Sequence, residues 1–325
     1  MDTLIFALQA MAPLLLLGAL GYMLKQKGKM NNTFIDSLNR FVFTIALPVL
    51  IFTTISGVES FALLKWDVVA FAVAMITLII LVGYAVLIPM PLEERQKPVL
   101  HQAFHRGNFV LIGIPLAMRL GGENALQTIV IFNAFMLPIT NAVSILTFQL
   151  WGKNKRFSAS DIKRLVTGTI LNPIMLATLL GLLAFALGPV FSTVMDTLPM
   201  IQETLDMLAS TATPLALIAI GGQFTLQRVK TFRRALTIGL IGRIVVVPTF
   251  VFTTAYLLSD WIDFTHTWSS MIAIFASPVA VASVAVAKGM DSDDELASQV
   301  VIFSTLSSIF SLFIVIVIFR GLGYL

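Results

Sequence analysis

The segment from Arg106 to Pro115 reads Arg-Gly-Asn-Phe-Val-Leu-Ile-Gly-Ile-Pro, and it interrupts an otherwise apolar stretch. Proline removes a backbone donor and clashes with the preceding turn, and polar groups freed inside lipid must find protein or water partners. A second segment of this kind runs from Ala276 to Ser283 in the other half of the chain, and it reads Ala-Ser-Pro-Val-Ala-Val-Ala-Ser. Paired interruptions of two hydrophobic segments are the pattern expected at the substrate site of a membrane transporter.

The composition is that of a membrane protein. Of the 325 residues, 58% are hydrophobic and 12% are charged. Soluble globular proteins contain about 25% charged residues. The chain has no cysteine, which excludes disulfides and thiolate-ligated metal sites. The net charge of +4 comes from basic residues in short loops between apolar stretches, so we expect no nucleic-acid partner.

About ten stretches are apolar and long enough to cross a bilayer, which takes about 20 residues of helix. We therefore predict an all-α membrane protein, embedded in the cell membrane, with about ten transmembrane helices. In chain order, the predicted spans are Leu4–Leu24, Phe34–Ser56, Val68–Ile88, Val99–Leu120, Ala125–Leu150, Leu165–Leu187, Ile201–Gln223, Ala235–Leu258, Trp268–Lys288 and Ala297–Phe319.

The distribution of Lys and Arg predicts the orientation of these spans, because cytoplasmic loops carry an excess of both. Basic residues follow spans one, three, five and seven, whereas the opposite loops hold almost none. The odd-numbered loops are therefore predicted to be cytoplasmic, with both termini outside the cytoplasm. The basic residues of these four loops are Lys25, Lys27, Lys29, Arg95, Lys97, Lys153, Lys155, Arg156, Lys163, Arg164, Arg228, Lys230, Arg233 and Arg234.

The chain divides into two halves of five spans, and an odd number of spans gives them opposite polarity in the membrane. We predict a first five-helix repeat over residues 1–152, a cytoplasmic linker over 153–164 and a second, inverted repeat over 165–325. Broken helices four and nine would then cross. Equal spacings in the two halves support the repeat, since Pro13, Gly21 and Gly28 recur as Pro173, Gly181 and Gly188.

The fourth span carries the first candidate site. Asn108 has an amide that both donates and accepts, while Gly107 and Gly113 let backbone approach a ligand or another helix. Pro115 breaks the hydrogen-bond ladder. Unwound backbone and half-helix N-termini at this point favour an anion. The alternative is a kinked helix that packs on small residues, as membrane bundles commonly do.

Polar residues of spans nine and five complete the predicted pocket. Ser277, Pro278 and Ser283 lie in the interrupted ninth span. Asn133 and Asn141 are eight residues apart in span five, so they fall near one helix face. Buried amides need partners, and the broken fourth span would supply them. Ordinary hydrogen bonding between helices is the alternative explanation for both asparagines.

The sequence alone does not decide the roles of three further residues. Arg243 lies within span eight, where a charge is a functional candidate, although it could also reach the interface. His101 and His105 are spaced as two metal ligands on one helical face, but no acidic third ligand lies near. Interfacial histidines are the favoured interpretation. We predict no metal site, no cofactor and no catalytic residue, and no span carries Asp or Glu near its centre.

These motifs resemble a known family. Gly107-Asn108-Phe109 with Gly113-Ile114-Pro115-Leu116 resembles the fourth span of the auxin efflux carrier family, and the segment from Ser277 to Ser283 resembles its ninth. The likeness covers essentially the whole chain. The short predicted linker matches the bacterial branch of the family, which includes malonate and malate permeases.

The resemblance implies a fold like that of the bile acid sodium symporters, with two inverted five-helix repeats. It also implies a mobile transport domain of spans three to five and eight to ten, beside a scaffold of spans one, two, six and seven. Relatives suggest a homodimer through the scaffold. In plant members an asparagine at the fourth-span crossover helps to hold the substrate carboxylate, and Asn108 is the matching residue here.

Together, the residues and the resemblance predict a secondary transporter of small organic anions, such as malonate, malate or auxin-like acids, working by elevator-type alternating access. A channel or a membrane sensor that binds ligand without transport is the alternative. A membrane enzyme is disfavoured, since the spans contain no paired buried carboxylates, metal triad or Ser–His arrangement.

Overall fold

The computed structural model describes residues 2–58, 65–151, 167, 171–223 and 233–325. All regular structure within these ranges is helical. The predicted linker 153–164 lies outside the described residues. In the first half the helices are α1 (Asp2–Gln26), α2 (Asn32–Phe41), α3 (Leu47–Ser56), α4 (Trp66–Leu87), α5 (Lys97–His105) and α6 (Ile114–Trp151).

The second half continues the helical architecture. Its ninth predicted span is broken into two helices of eight residues each. The helices here are α7 (Pro173–Leu187), α8 (Pro189–Thr197), α9 (Pro199–Gln223), α10 (Arg233–Ile241), α11 (Val247–Leu257), α12 (Trp268–Phe275), α13 (Ala282–Gly289) and α14 (Asp294–Gly321).

Within the described ranges, three π-helical turns each lie just before a proline. They cover Val42–Ala46, Phe109–Gly113 and Gly242–Val246, and the proline stands two residues beyond each turn, at Pro48, Pro115 and Pro248. Proline cannot donate to the carbonyl four residues back, and its ring pushes that carbonyl away. The residue before each proline therefore bonds five residues back, which widens the turn. Each turn therefore changes the direction in which its side chains point.

Glycines allow two pairs of helices to pack closely. A Cβ at Gly21 of α1 would overlap the carbonyl of Ile218 in α9, and one at Gly221 would overlap the carbonyl of Gly18. In the same way, a Cβ at Gly181 of α7 would lie 2.8 Å from Ile55 Cβ in α3. Helices α1, α3, α7 and α9, which belong to predicted spans one, two, six and seven, thus form one packed group.

The remaining long helices pack around the two breaks. The α12 helix lies against α6, where Ser270 Oγ donates to the Ala125 carbonyl at 2.9 Å. A Cβ at Gly113 would come within 2.7 Å of the Ala273 carbonyl oxygen, so glycine permits this approach. Helix α6 itself changes direction at Gly122, whose φ of 63° a glycine adopts without strain. Predicted spans four and five meet at this bend.

Among the described residues, seven helices are long and apolar enough to cross a membrane, or up to eight if a bent pair counts as one span. Phe109–Trp151 counts once although it is bent, and α5, α12 and α13 are individually too short. The count of ten spans and their inverted repeat remain predictions. The all-helical, multi-pass architecture agrees with the sequence analysis.

Candidate functional site

The two interrupted segments meet and pair in antiparallel fashion. The Asn108 N–H donates to the Pro278 carbonyl at 2.7 Å, and the Ala280 N–H donates to the Arg106 carbonyl at 3.0 Å. These bonds flank an isolated β-bridge between Gly107 and Val279. Backbone groups freed by the two helix breaks therefore satisfy each other, as groups removed from water must.

Glycine is required at the centre of this crossing. A Cβ at Gly107 would overlap the guanidinium of Arg243 and lie 2.7 Å from Ser277 Oγ. The crossing is thus held from one side by Arg243, whose side chain comes from the π turn Gly242–Val246.

Arg243 is buried, with only 1% of its surface exposed, and it binds the C-terminal ends of both first half-helices. It donates to the Phe104 carbonyl of α5 at 3.1 Å and to the Ile274 carbonyl of α12 at 3.0 Å. It also donates to the Ser277 carbonyl at 2.8 Å and to Ser277 Oγ at 3.2 Å. A cation at helix C-termini offsets their partial negative charge. Arg243 therefore holds the crossing together rather than reaching the membrane interface.

A cavity of about 250 Å³ lies beside the crossing, and Arg243 is not among the residues that line it. The N-terminal ends of the second half-helices open onto it, since Phe109 and Val110 begin the π turn before α6, and Val281 and Ala282 begin α13. The first N–H groups of a helix have no partner inside the helix. The cavity is lined by Phe43, Arg106, Gly107, Asn108, Phe109, Val110, Leu137, Thr140, Asn141, Asn172, Ile174, Ala280, Val281 and Ala282.

The crossing therefore separates helix ends of opposite sign. The negative ends of α5 and α12 face Arg243, whereas the positive ends of α13 and of the π turn Phe109–Gly113 that leads into α6 face the cavity. The lining includes Arg106 and no Asp or Glu among the described residues. An anion is the ligand that this distribution of charge favours.

A family model described as membrane transport protein matches residues 6–316, which is nearly the whole chain. The chain belongs to this family. The match confirms the resemblance to the auxin efflux carrier family, and it identifies the chain as a multi-pass membrane transporter. Comparison with curated proteins gives no match.

Three of the predicted site residues line the cavity of this transporter. They are Gly107, Asn108 and Asn141. Asn108 is only 4% exposed, and its Nδ2 has no hydrogen-bond partner within the described part of the chain. An unpaired buried donor is costly, so a ligand acceptor at this amide would be favoured.

The other predicted site residues shape the crossing or lie outside the cavity lining. Ser277 and Pro278 supply the oxygens described above to Arg243 and Asn108, and Pro115 fixes the π turn that carries Phe109. Gly113 allows close packing. Asn133 and Ser283 are buried, with side-chain polar atoms that have no partner among the described residues. A role in substrate binding stays a prediction for all of them.

Arg106, Thr140 and Asn172 line the cavity but are absent from the predicted site. Arg106 is adjacent to the predicted Gly107. A charged residue beside an interrupted helix is the sequence feature that could have identified Arg106 as part of the site. Asn172 caps α7, where its Oδ1 accepts from the Ile174 N–H at 2.9 Å. The pair Asn172-Pro173 is the sequence signal for such a cap. Its place beside the fourth span depends on packing between distant segments.

An ion pair joins the loop before α4 to the loop before α12. Lys65, just before α4, pairs with Asp263, and it also donates to the Thr265 carbonyl at 2.9 Å. Hydrogen bonding to Lys65 holds the pKa of the Asp263 carboxyl below its ordinary value, and bonds to Thr265 act in the same direction. The carboxylate therefore stays charged to a lower pH than a free aspartate, and it can pair with Lys65 over that range.

Proposed function

We propose that this transporter carries small organic anions, with the substrate carboxylate bound in the cavity beside the crossing. The observation that carries the proposal is the convergence of two helix N-termini, the Arg106 guanidinium and the unpaired Asn108 amide on one cavity. Each group donates to, or is attracted by, negative charge. A carboxylate would satisfy several of them at once.

The size of the cavity supports a small substrate. Pockets for drug-sized ligands measure about 300–1,000 Å³. The cavity here, at about 250 Å³, is smaller. Malonate and malate are the substrates that we favour over larger auxin-like acids, because their charge is high for their volume.

The position of the cavity supports alternating access. Phe43, Asn172 and Ile174 belong to the helices of predicted spans two and six, whereas the crossing belongs to spans four and nine. The substrate would therefore lie between the proposed scaffold (spans one, two, six and seven) and the proposed transport domain. In an elevator mechanism the crossing would carry the anion past the scaffold. The contacts between the anion and the scaffold around Asn172 would therefore change during this movement.

Transport assays with purified protein in liposomes test this function. Labelled malonate and malate should accumulate, and Asn108→Ala should weaken apparent affinity ~10- to 100-fold, because a hydrogen bond to a charged group contributes about 1.5–3 kcal/mol. Arg106→Ala should have a similar effect. Asn124→Ala and Arg119→Ala are matched controls, since both side chains are exposed and neither residue lines the cavity.

Three results would contradict the proposal. Full transport by Asn108→Ala and Arg106→Ala would place the substrate elsewhere. Binding of malonate without flux in liposomes would favour a membrane sensor instead, and flux that does not saturate with concentration would favour a channel.

A further inference from the structure

Two histidines are buried beside the crossing and join it to a chain of polar side chains. His101 and His105 of α5 are 0% and 1% exposed. Their imidazole rings lie 5.0 Å apart, and Tyr84 of α4 stacks 4.0 Å from His101. Among the described residues, no group of three His, Cys, Asp or Glu could hold a metal. The proposed anion transport does not explain why two histidines are buried here.

The hydrogen bonds of His101 are complete when its ring is neutral. Its Nε2 lies 3.0 Å from the Ile80 carbonyl, which can only accept, so Nε2 carries the proton. Its Nδ1 is then an acceptor for the Thr147 hydroxyl at 3.2 Å. Thr147 in turn accepts from the Tyr84 hydroxyl at 2.5 Å. His101 therefore has no position free for another proton.

His105 is different, because its Nε2 atom has a lone pair and no hydrogen-bond donor facing it. Its Nδ1 lies 2.8 Å from the His101 carbonyl and must donate to it. Its Nε2 then carries a lone pair, and it faces Ser144 Oγ at 3.4 Å. The Ser144 hydroxyl already donates to the Thr140 carbonyl at 2.6 Å. Two acceptors thus face each other, and a proton on His105 Nε2 would turn this contact into a hydrogen bond.

The same serine connects His105 to the anion cavity. Arg106 donates through Nη1 to Ser144 Oγ at 3.5 Å, and Arg106 and Thr140 both line the cavity. The charged or titratable groups that act on the His105 ring are His101, Arg106 and Arg243, and Tyr84 lies beyond His101. None of these four residues carries a carboxylate. A proton on His105 would add positive charge to a cationic cluster, which a carboxylate in the cavity would offset.

We propose that His105 Nε2 is the proton-binding site of this transporter and that the proton and the substrate anion bind together. This inference rests on the proposed function, because it needs an anion beside Arg106. The proton comes from solvent and adds to the Nε2 lone pair, with no other bond broken. Opposite charges favour each other's binding, and the coupling acts equally in both directions. One proton would thus travel with each anion.

Proton uptake during binding tests the proposal. The full-length protein is purified in detergent and weakly buffered solution, and malonate or malate is added while an indicator dye reports protons and calorimetry reports binding. Wild type should take up protons, approaching about one per bound anion, and its Kd should rise up to tenfold per pH unit where the site loses its proton. His105→Gln should still bind, with less uptake and a flatter pH profile.

Controls separate His105 from other sources of protons. The probe itself can bind as a more protonated species, so the difference between wild type and His105→Gln is the decisive quantity. His266→Asn, at an exposed loop position outside the network, should behave like wild type. Monodisperse elution and retained binding show that His105→Gln is folded.

The possible failures are distinguishable. Equal uptake and equal pH dependence in wild type and His105→Gln would overturn the proton site while leaving the anion site intact. Loss of uptake in His101→Gln but not in His105→Gln would also overturn it. If neither probe binds to wild type, the proposed carboxylate site is wrong and the proton site falls with it.

Discussion

At the scale of residues, the side chain that organises the crossing is Arg243. It occupies the place where the negative ends of α5 and α12 converge, and its donors are shared among three carbonyls and one hydroxyl. A buried guanidinium with so many acceptors does not need a carboxylate partner. This arrangement accounts for a deeply buried charge in a chain whose spans carry no central acid.

Replacing Arg243 should destabilise the protein severely. Arg243→Met removes the donors to the Phe104 and Ser277 carbonyls, and it leaves the Ile274 carbonyl with the Ser277 hydroxyl as its donor. Each unsatisfied buried group costs about 1–3 kcal/mol. Arg243→Lys should be intermediate, because an ammonium keeps the charge but not the planar fork of donors. Thermal unfolding in detergent measures the effect.

The control for Arg243 is Arg233→Met, at an exposed position of α10. This variant should unfold at the wild-type temperature. An Arg243→Met protein as stable as Arg233→Met would show that the carbonyls find other partners, and it would remove Arg243 from the account of the crossing.

At the scale of elements, the sequence predicts the two breaks well and their consequences less well. The glycines and prolines at residues 106–115 and 276–283 indicate where helices end, because their effect is local. The antiparallel pairing of Asn108 with Pro278 is not visible in either segment alone. It arises when the breaks are brought together by packing of α12 on α6.

The role of Arg243 also depends on a π turn that we did not predict from the sequence. Its π turn exists because Pro248 lies downstream, and the turn determines where the guanidinium points. In a regular α-helix the Arg243 side chain would point in another direction. The position of Arg243 along the predicted span is therefore compatible with both a buried and an interfacial side chain. Arg106 and Asn172 were missed for the related reason that the cavity combines five separate segments.

Pro248→Ala should reduce transport, and it should also lower the unfolding temperature because Arg243 loses its carbonyl partners. Alanine supplies the missing N–H and removes the clash, so the turn Gly242–Val246 can return to α-helical pitch and rotate Arg243 away from the carbonyls. Transport of malonate should fall at least about tenfold while helix content by circular dichroism is unchanged. Pro13→Ala in α1 is the control, because no π turn is present there. Wild-type transport by Pro248→Ala would contradict this role of the turn.

At the scale of the whole molecule, two groups of helices share one polar cavity. One group packs through glycines in α1 and α9, and the other surrounds the crossing. The hydrophobic composition predicts the helical class and the membrane, and the family match shows that the molecule is a transporter. The proposed elevator adds that these groups move relative to each other, carrying a site whose positive helix ends face the anion and whose negative ends face Arg243.

The position of a bound carboxylate tests the central claim most directly. A structure determined with bromomalonate, whose bromine can be located by anomalous scattering, would show where the anion lies. We predict density in the cavity beside Arg106, within hydrogen-bond reach of Asn108 Nδ2 and of the first N–H groups of the π turn Phe109–Gly113 or of α13. An anion bound only elsewhere, such as the pocket near Trp268 and Tyr324, would contradict the account.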